Sequence, residues 1–173
     1  MRCSREVLLI LLLLCGTLFA HNGAAGVVIS EIMYHPPGTN VLEEWLELDN
    51  TGAQPARLDG WQLSRGVHFT FPPQTIIPPG NRLVVAADAV TFHARHPQVT
   101  DYVGGWTGTL RDHGETVTLS DASGQTVSEV AYAAEGDWAV RRLSPPDQHG
   151  RIGWIWFAEH DGLGKSLELI NPS

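Results

Sequence analysis

Short apolar stretches that alternate with polar residues run through this chain from residue 27 onward. The segment VVISEIMY (27–34) is rich in β-branched residues, and in EEWLELDN (43–50) Leu46 and Leu48 share one face of an extended strand. Further segments of this kind are 58–63, 68–72, 75–88, 115–121, 125–132 and the final SLELINP, 166–172. Turn signals rich in Gly, Pro, Asn and Asp separate them by about 8–12 residues, which is typical of an antiparallel β-sandwich.

One segment has the pattern of a helix. In DAVTFHARHP (88–97), Asp88 is a candidate N-cap and Pro97 a stop signal, so the sequence predicts one short helix. The segments on either side of Ala122-Ser123-Gly124 alternate clearly and predict a β-hairpin. The inner faces of the two sheets are expected to contribute Ile32, Leu46, Leu48, Trp61, Phe69, Leu83, Val85, Val117, Leu119, Val127 and Leu167.

The first residues have the pattern of a secretory signal peptide. Arg2 and Arg5 precede an apolar run over residues 7–14, and small residues allow cleavage after Ala20 or Ala25. The apolar run is too short to span a bilayer, and no later segment is long enough. We therefore expect a signal peptide at 1–25, a β-sandwich domain at 26–173, and an exported protein that is extracellular, periplasmic or attached to the cell envelope.

Cysteine content and charge limit the partners of the exported domain. Cys3 and Cys15 both lie in the leader, so the mature domain has no disulfide; lipidation of Cys15 is a minor alternative because Leu14 is large for a lipobox. The formal net charge is −8, and an acidic surface repels nucleic acid and anionic lipid. A protein or a cell-surface glycan is the expected partner, with no nucleic acid.

Several stretches together resemble the lamin-tail domain in its bacterial, secreted form. They are VVISEIMYHPP, EEWLELDNTG and the segment from ARLDGWQL to RLVVAAD, in the same order and spacing. The resemblance implies an all-β, immunoglobulin-like antiparallel sandwich with one short helix. AEGDWAVRR and the last 21 residues resemble the version found in bacterial envelope proteins that also carry a spore-coat-H-like kinase domain. Nothing here matches the kinase part.

The C-terminal stretch GWIWFAEHDGLGKSLELINPS (153–173) contains fragments of catalytic and phosphate-binding motifs. Gly164-Lys165-Ser166 would end a phosphate-binding loop, but Glu159 stands where its first glycine belongs and a strand pattern follows. His160-Asp161 lacks a nucleophile for a catalytic dyad, and too few oxygen ligands are nearby for a calcium loop. We predict a glycine-rich turn that joins the Trp-rich strand to the last strand as a hairpin. The sequence predicts no catalytic or cofactor-binding residue.

Two groups of side chains are candidate metal ligands. His93 and His96 are three residues apart on the predicted helix, yet spacing suggests no third ligand, and two solvated imidazoles are the expected outcome. Glu31, Glu47 and Glu168 each lie in a predicted strand and would share a face if those strands are neighbours in register. Three carboxylates suit calcium, whereas an ordinary polar outer face needs no metal. No metal site is therefore predicted.

The tryptophans are the remaining candidates for a functional surface. Trp61 is placed in the core and Trp45 at an edge of the same core. If exposed together, the other four would form a ligand platform for sugar rings or a protein partner. Because large aromatic side chains are mostly buried, the core is their more usual place. These four residues are Trp106, Trp138, Trp154 and Trp156.

These observations together favour a secreted or envelope-attached, non-catalytic binding or tethering module. One alternative is a carbohydrate-binding module, which requires exposed Trp154 and Trp156. The other is the N-terminal fragment of a larger envelope protein whose kinase-like enzymatic part lies downstream, because the chain stops at Ser173 directly after its last predicted strand. A genomic reading frame that ends there, with no related coding sequence beyond, would contradict the fragment hypothesis.

Overall fold

Two five-stranded sheets face each other across one core in the computed structural model, which describes residues 26–169. The strands are, in chain order, β1 (Val27–Met33), β2 (Trp45–Asn50), β3 (Ala56–Arg57), β4 (Gln62–Ser64), β5 (Val67–Thr70), β6 (Ile76–Ile77), β7 (Arg82–Ala86), β8 (Tyr102–Gly104), β9 (Thr107–Gly108), β10 (Gly114–Ser120), β11 (Thr126–Ala133), β12 (Val140–Leu143), β13 (Trp154–Phe157) and β14 (Leu167–Glu168). The predicted signal peptide lies outside the described residues.

The strand order makes an open sandwich with the chain's last strand beside its first. One sheet has the order β14-β1-β2-β7-β8 and the other β11-β10-β4-β5-β9. Neighbouring strands are antiparallel except β7 and β8, which are parallel. Two short ribbons, β3-β6 and β12-β13, lie outside these sheets. The all-β, immunoglobulin-like sandwich expected from the sequence is confirmed.

The core is built from the inward-facing side chains of the strands, and β2 shows how inward and outward residues alternate. Leu46 and Leu48 are fully buried, whereas Glu47 between them faces outward and is half-buried. Of the predicted core residues, Ile32, Leu83, Val85, Val117 and Leu119 are also buried, and Trp61, Phe69 and Leu167 pack against the core while half-buried. Large side chains that the predicted core did not include fill the same space: Tyr34, Phe71, Ile29, Leu58, Leu63 and Ile77. Trp106 lies there too, as expected of a large aromatic side chain.

The prediction that Val127 belongs to the core is wrong. It is half-buried and lines a surface groove beside Trp61, while Val130 on the same strand packs against the core instead. Val130 lies opposite the buried Val117, and because Val127 is three residues away from Val130, it points to the other side of β11.

The predicted helix is present as α1 (Ala89–Arg95) and packs on the outer face of the first sheet. The Asp88 carboxylate accepts a hydrogen bond from the Thr91 backbone N–H at 2.7 Å, which confirms the predicted N-cap. Phe92 forms a small second core with Val84 and Ala86. Trp45 packs against this second core and not at the edge of the main core, which corrects its predicted position.

Two predicted strands are shorter than expected, and the hairpin is as expected. Residues Val41–Glu43 form a 3-10 turn, so β2 begins only at Trp45. The final predicted strand is limited to Leu167–Glu168 within the described residues. The β10–β11 hairpin closes through its predicted turn. There the Asp121 carboxylate accepts hydrogen bonds from the backbone N–H groups of Ser123 and Gln125. No helix of residues 26–169 has the length and apolarity needed to cross a bilayer.

Candidate binding surface

The β12–β13 ribbon, residues 140–157, contains two of the four tryptophans that were predicted as a platform. Arg141 is paired with Trp156, and Leu143 with Trp154. Because paired residues lie on the same side of a two-stranded sheet, these four side chains share one face, which we call the tryptophan face. The opposite face carries Val140, Arg142, Ile155 and Phe157.

The tryptophan face is open to solvent. Trp154 is 61% exposed, Trp156 43% and Leu143 61%. The expectation that these tryptophans belong to the core is therefore wrong for Trp154 and Trp156. An isolated two-stranded ribbon has no second sheet to cover it, so its large side chains stay at the surface.

The other two predicted platform residues lie elsewhere. Trp106 is only 7% exposed and belongs to the main core, as large aromatic residues usually do. Trp138 is largely exposed, but it belongs to a 3-10 turn (Gly136–Trp138) before the ribbon. It lines a cavity of about 410 Å³ together with Val140, Arg142 and Phe157, on the ribbon's opposite face. The structure thus brings together Trp154 and Trp156, and separates them from Trp106 and Trp138.

Arg141 lies between the two indole rings of the tryptophan face. Its guanidinium carbon is 5.5 Å from the ring centroid of Trp154 and 5.6 Å from that of Trp156. Each contact is a cation–π interaction, worth about 0.5–1 kcal/mol at an exposed site. Among residues 26–169, Arg141 has no ion pair with a carboxylate. The guanidinium N–H groups therefore remain free to donate to a ligand while the cation stays close to both rings.

The loop after the ribbon is fastened to the end of β1. The buried His160 is bonded through both ring nitrogens, since Nε2 is 2.7 Å from the Trp138 carbonyl oxygen and Nδ1 is 2.7 Å from the Tyr34 hydroxyl. A carbonyl can only accept, so Nε2 carries the proton and Nδ1 accepts from Tyr34. Burial, followed by the nearby Asp161 carboxylate, raises the pKa of Tyr34, which keeps this hydroxyl a donor.

A second link fastens the same loop. Asp161 accepts from His35 Nδ1 at 2.6 Å and so does not form a dyad with His160, whose ring nitrogens are bonded elsewhere. Residues 159–164 form turns and bends, which confirms the predicted glycine-rich turn. The predicted hairpin between the Trp-rich strand and the last strand is wrong, because β13 pairs with β12 and β14 pairs with β1.

The three carboxylates of the candidate cation site do share a row across β14, β1 and β2. Glu31 is paired with both Glu168 and Glu47. Glu47 is already bonded to Arg82 at 3.2 Å, and Glu31 accepts from the Ser166 hydroxyl. Burial raises the pKa of Glu31, and the two neighbouring carboxylates add to the rise. Within residues 26–169, no group of three or more His, Cys, Asp or Glu side chains is arranged to hold a metal ion.

The helical histidine pair is engaged with aromatic rings. His93 stacks on Tyr102 with centroids 5.9 Å apart, and His96 stacks on Phe92 at 4.7 Å. Both imidazoles are exposed, as predicted. Their different neighbours hold the two rings apart, so they do not act as a ligand pair.

Sequence reasoning missed a buried carboxyl group, Glu44. Its side chain is 2% exposed, and its Oε2 accepts the Leu110 backbone N–H at 2.9 Å. Burial raises the pKa of Glu44 to about 7, and the nearby Asp112 and Glu115 add to the rise. Glu44 follows the half-buried Glu43 directly, and the alternation that turns Leu46 and Leu48 inward also turns Glu44 inward, so the period of two was the signal that could have found it.

Comparison with protein families agrees with the fold. A family model described as Lamin Tail Domain matches residues 21–134, so the β12–β13 ribbon lies beyond the matched part. No curated protein matches the chain. Because the family model covers more than half of the sequence and the sandwich has the expected immunoglobulin-like architecture, the chain belongs to the lamin tail domain family.

Proposed function

We propose that this chain is an exported, non-catalytic binding module that tethers a protein or a cell-surface glycan through the tryptophan face. One observation carries the proposal: Trp154 and Trp156 are exposed side by side with the Arg141 guanidinium between them. Tryptophan and arginine are the residues most enriched at binding hot spots. Large contiguous apolar surfaces on soluble proteins commonly mark interaction sites.

The absence of catalysis is supported by how the polar groups are engaged. The buried His160 is bonded to Tyr34 and to a backbone carbonyl, and Asp161 is bonded to His35. These contacts fasten a loop to the sandwich, and because both ring nitrogens of His160 are bonded, this imidazole is not available to activate a nucleophile. The buried Glu44 is likewise bonded to a backbone N–H of the sandwich.

Export is supported by the leader pattern, and the kind of partner by the charge. Mass spectrometry of the processed protein would test export directly, with a mature N-terminus expected at residue 21 or 26. A net charge of −8 disfavours nucleic acid as the partner. The aromatic, solvent-exposed ribbon suits a protein or an envelope glycan as the partner.

Co-sedimentation of the processed protein with isolated cell-envelope material tests the proposed function. The double variant W154A/W156A is expected to bind at least about tenfold more weakly, since truncating hot-spot residues costs above roughly 1 kcal/mol each. Ile155→Ala is the matched control, because Ile155 is an exposed apolar residue on the opposite face of the same strand. Wild-type retention by a folded double variant would show that another surface does the binding.

A further inference from the structure

We infer that the tryptophan face binds a neutral polysaccharide built from N-acetylated amino sugars. The inference rests on the proposed function and specifies its ligand. Trp154 and Trp156 are two residues apart on one strand, so their Cα atoms are about 7 Å apart and both indoles project from the same side. Indole rings are electron-rich on their faces, which attracts the slightly positive C–H groups on the flat side of a pyranose ring. The two rings therefore offer two stacking positions along one extended chain.

Arg141 provides directional polar contacts between those two positions. Its guanidinium lies 5.5 Å and 5.6 Å from the two indole centroids, where it is held by the rings. It carries five N–H donors in one plane and, among residues 26–169, forms no ion pair. An oxygen acceptor on the ligand, such as an amide carbonyl between two stacked sugars, fits this donor. Arg141 therefore selects a ligand whose stacked sugar rings carry an oxygen acceptor.

The neighbouring side chains are apolar, which favours an acetamido group over a plain hydroxyl. Leu143 shares the tryptophan face and is exposed, and Ile152, two residues before Trp154, is also exposed. A hydroxyl group gains nothing from contact with these aliphatic side chains and loses water. The methyl of an acetamido group is apolar and its carbonyl is an acceptor, so one substituent satisfies both the aliphatic side chains and Arg141.

Charge favours a neutral polymer. Three arginines, Arg141, Arg142 and Arg151, make the ribbon locally basic, but a polymer extends beyond the ribbon and meets a protein of net charge −8. A polyanion would be repelled there, whereas a neutral glycan has no such cost. Membranes containing anionic lipid are disfavoured on the same ground.

The test is a titration of intrinsic tryptophan fluorescence with two hexasaccharides of the same β-1,4 linkage. Chitohexaose carries an acetamido group on each ring, and cellohexaose carries a hydroxyl at the same position. We expect saturable binding of chitohexaose, with cellohexaose at least tenfold weaker. Trp154→Ala and Arg141→Leu should each weaken chitohexaose binding at least tenfold, and Ile155→Ala on the opposite face should leave it unchanged. Trp154→Phe, which keeps an aromatic ring, should retain more affinity than Trp154→Ala.

Each other result overturns the inference. Equal affinity for the two hexasaccharides would show that the acetamido group is not recognised. Chitohexaose binding unaffected by Trp154→Ala would show that the site lies elsewhere. Tighter binding of polygalacturonate, or of vesicles containing phosphatidylglycerol, would show that charge selects the ligand. If no hexasaccharide binds while the W154A/W156A variant still loses retention on envelope material, the proposed function stands and the inferred ligand is wrong.

Discussion

Replacing the buried Glu44 by glutamine should remove a defined part of the pH dependence of stability. The folded chain holds the Glu44 proton up to a pKa of about 7, against an ordinary value of 4.5. Between these values the folded state binds one more proton than the unfolded state, so the free energy of unfolding falls as pH rises. The slope of about 1.4 kcal/mol per pH unit gives a loss of about 3 kcal/mol across the window. Below about pH 4.5 the stabilising effect is complete, and above about pH 7 it is lost.

Glu44→Gln keeps a neutral side chain whose amide oxygen can still accept the Leu110 N–H. Urea unfolding followed by tryptophan fluorescence should give similar stabilities for variant and wild type at pH 5. By pH 8 the variant should gain about 3 kcal/mol relative to wild type. Glu135→Gln is the control, because Glu135 is exposed and neutralising it should not open such a gap. Parallel pH profiles of wild type and Glu44→Gln would refute the reasoning.

Three further substitutions test the packing and the fastened loop. Gly114 has a φ of +108°, and an added Cβ would lie 2.4 Å from the Tyr132 carbonyl oxygen. Gly114→Ala should therefore lower the free energy of unfolding, measured in urea, by about 3 kcal/mol or more. Gly124→Ala, with a φ of +86° but open space around the added Cβ, should cost only about 1–2 kcal/mol, and equal losses would contradict the steric argument. Tyr34→Phe leaves the buried His160 Nδ1 without its donor, which should cost about 1–3 kcal/mol; an unchanged urea midpoint would show that this bond contributes nothing.

The parts of the fold that were predictable from sequence are those set by local patterns. The alternation in β2 places Leu46 and Leu48 inward whatever strand lies beside it. The Asp88 side chain caps a helix that begins at the next residue, and the hairpin at residues 121–125 is closed by its own turn. Each of these features depends on residues within a few positions of one another, so a short window of sequence contains the necessary information.

The binding surface was only partly predictable, because it depends on pairing between distant segments. The tryptophans at 154 and 156 were predicted to share a side of one strand, which requires only the strand's period of two. Their exposure depends on β13 pairing with β12 in a separate ribbon and not with β14. Arg141 reaches the indoles only in that register, and no local pattern indicates a partner 15 residues away. The hydrogen bond that Glu44 accepts from the Leu110 N–H likewise joins segments that are distant in sequence.

The pairing of β14 with β1 has a consequence for the order in which the domain is completed. Glu31 meets Glu168, and the contacts of Tyr34 with His160 and of His35 with Asp161 each join residues 126 positions apart. Such long loops are slow to close, so these contacts form after the local hairpins. During synthesis the first strand keeps an unpaired edge until nearly the whole described chain has emerged. The first sheet is therefore the part of the sandwich that is completed last, when its C-terminal strand reaches the free edge of β1.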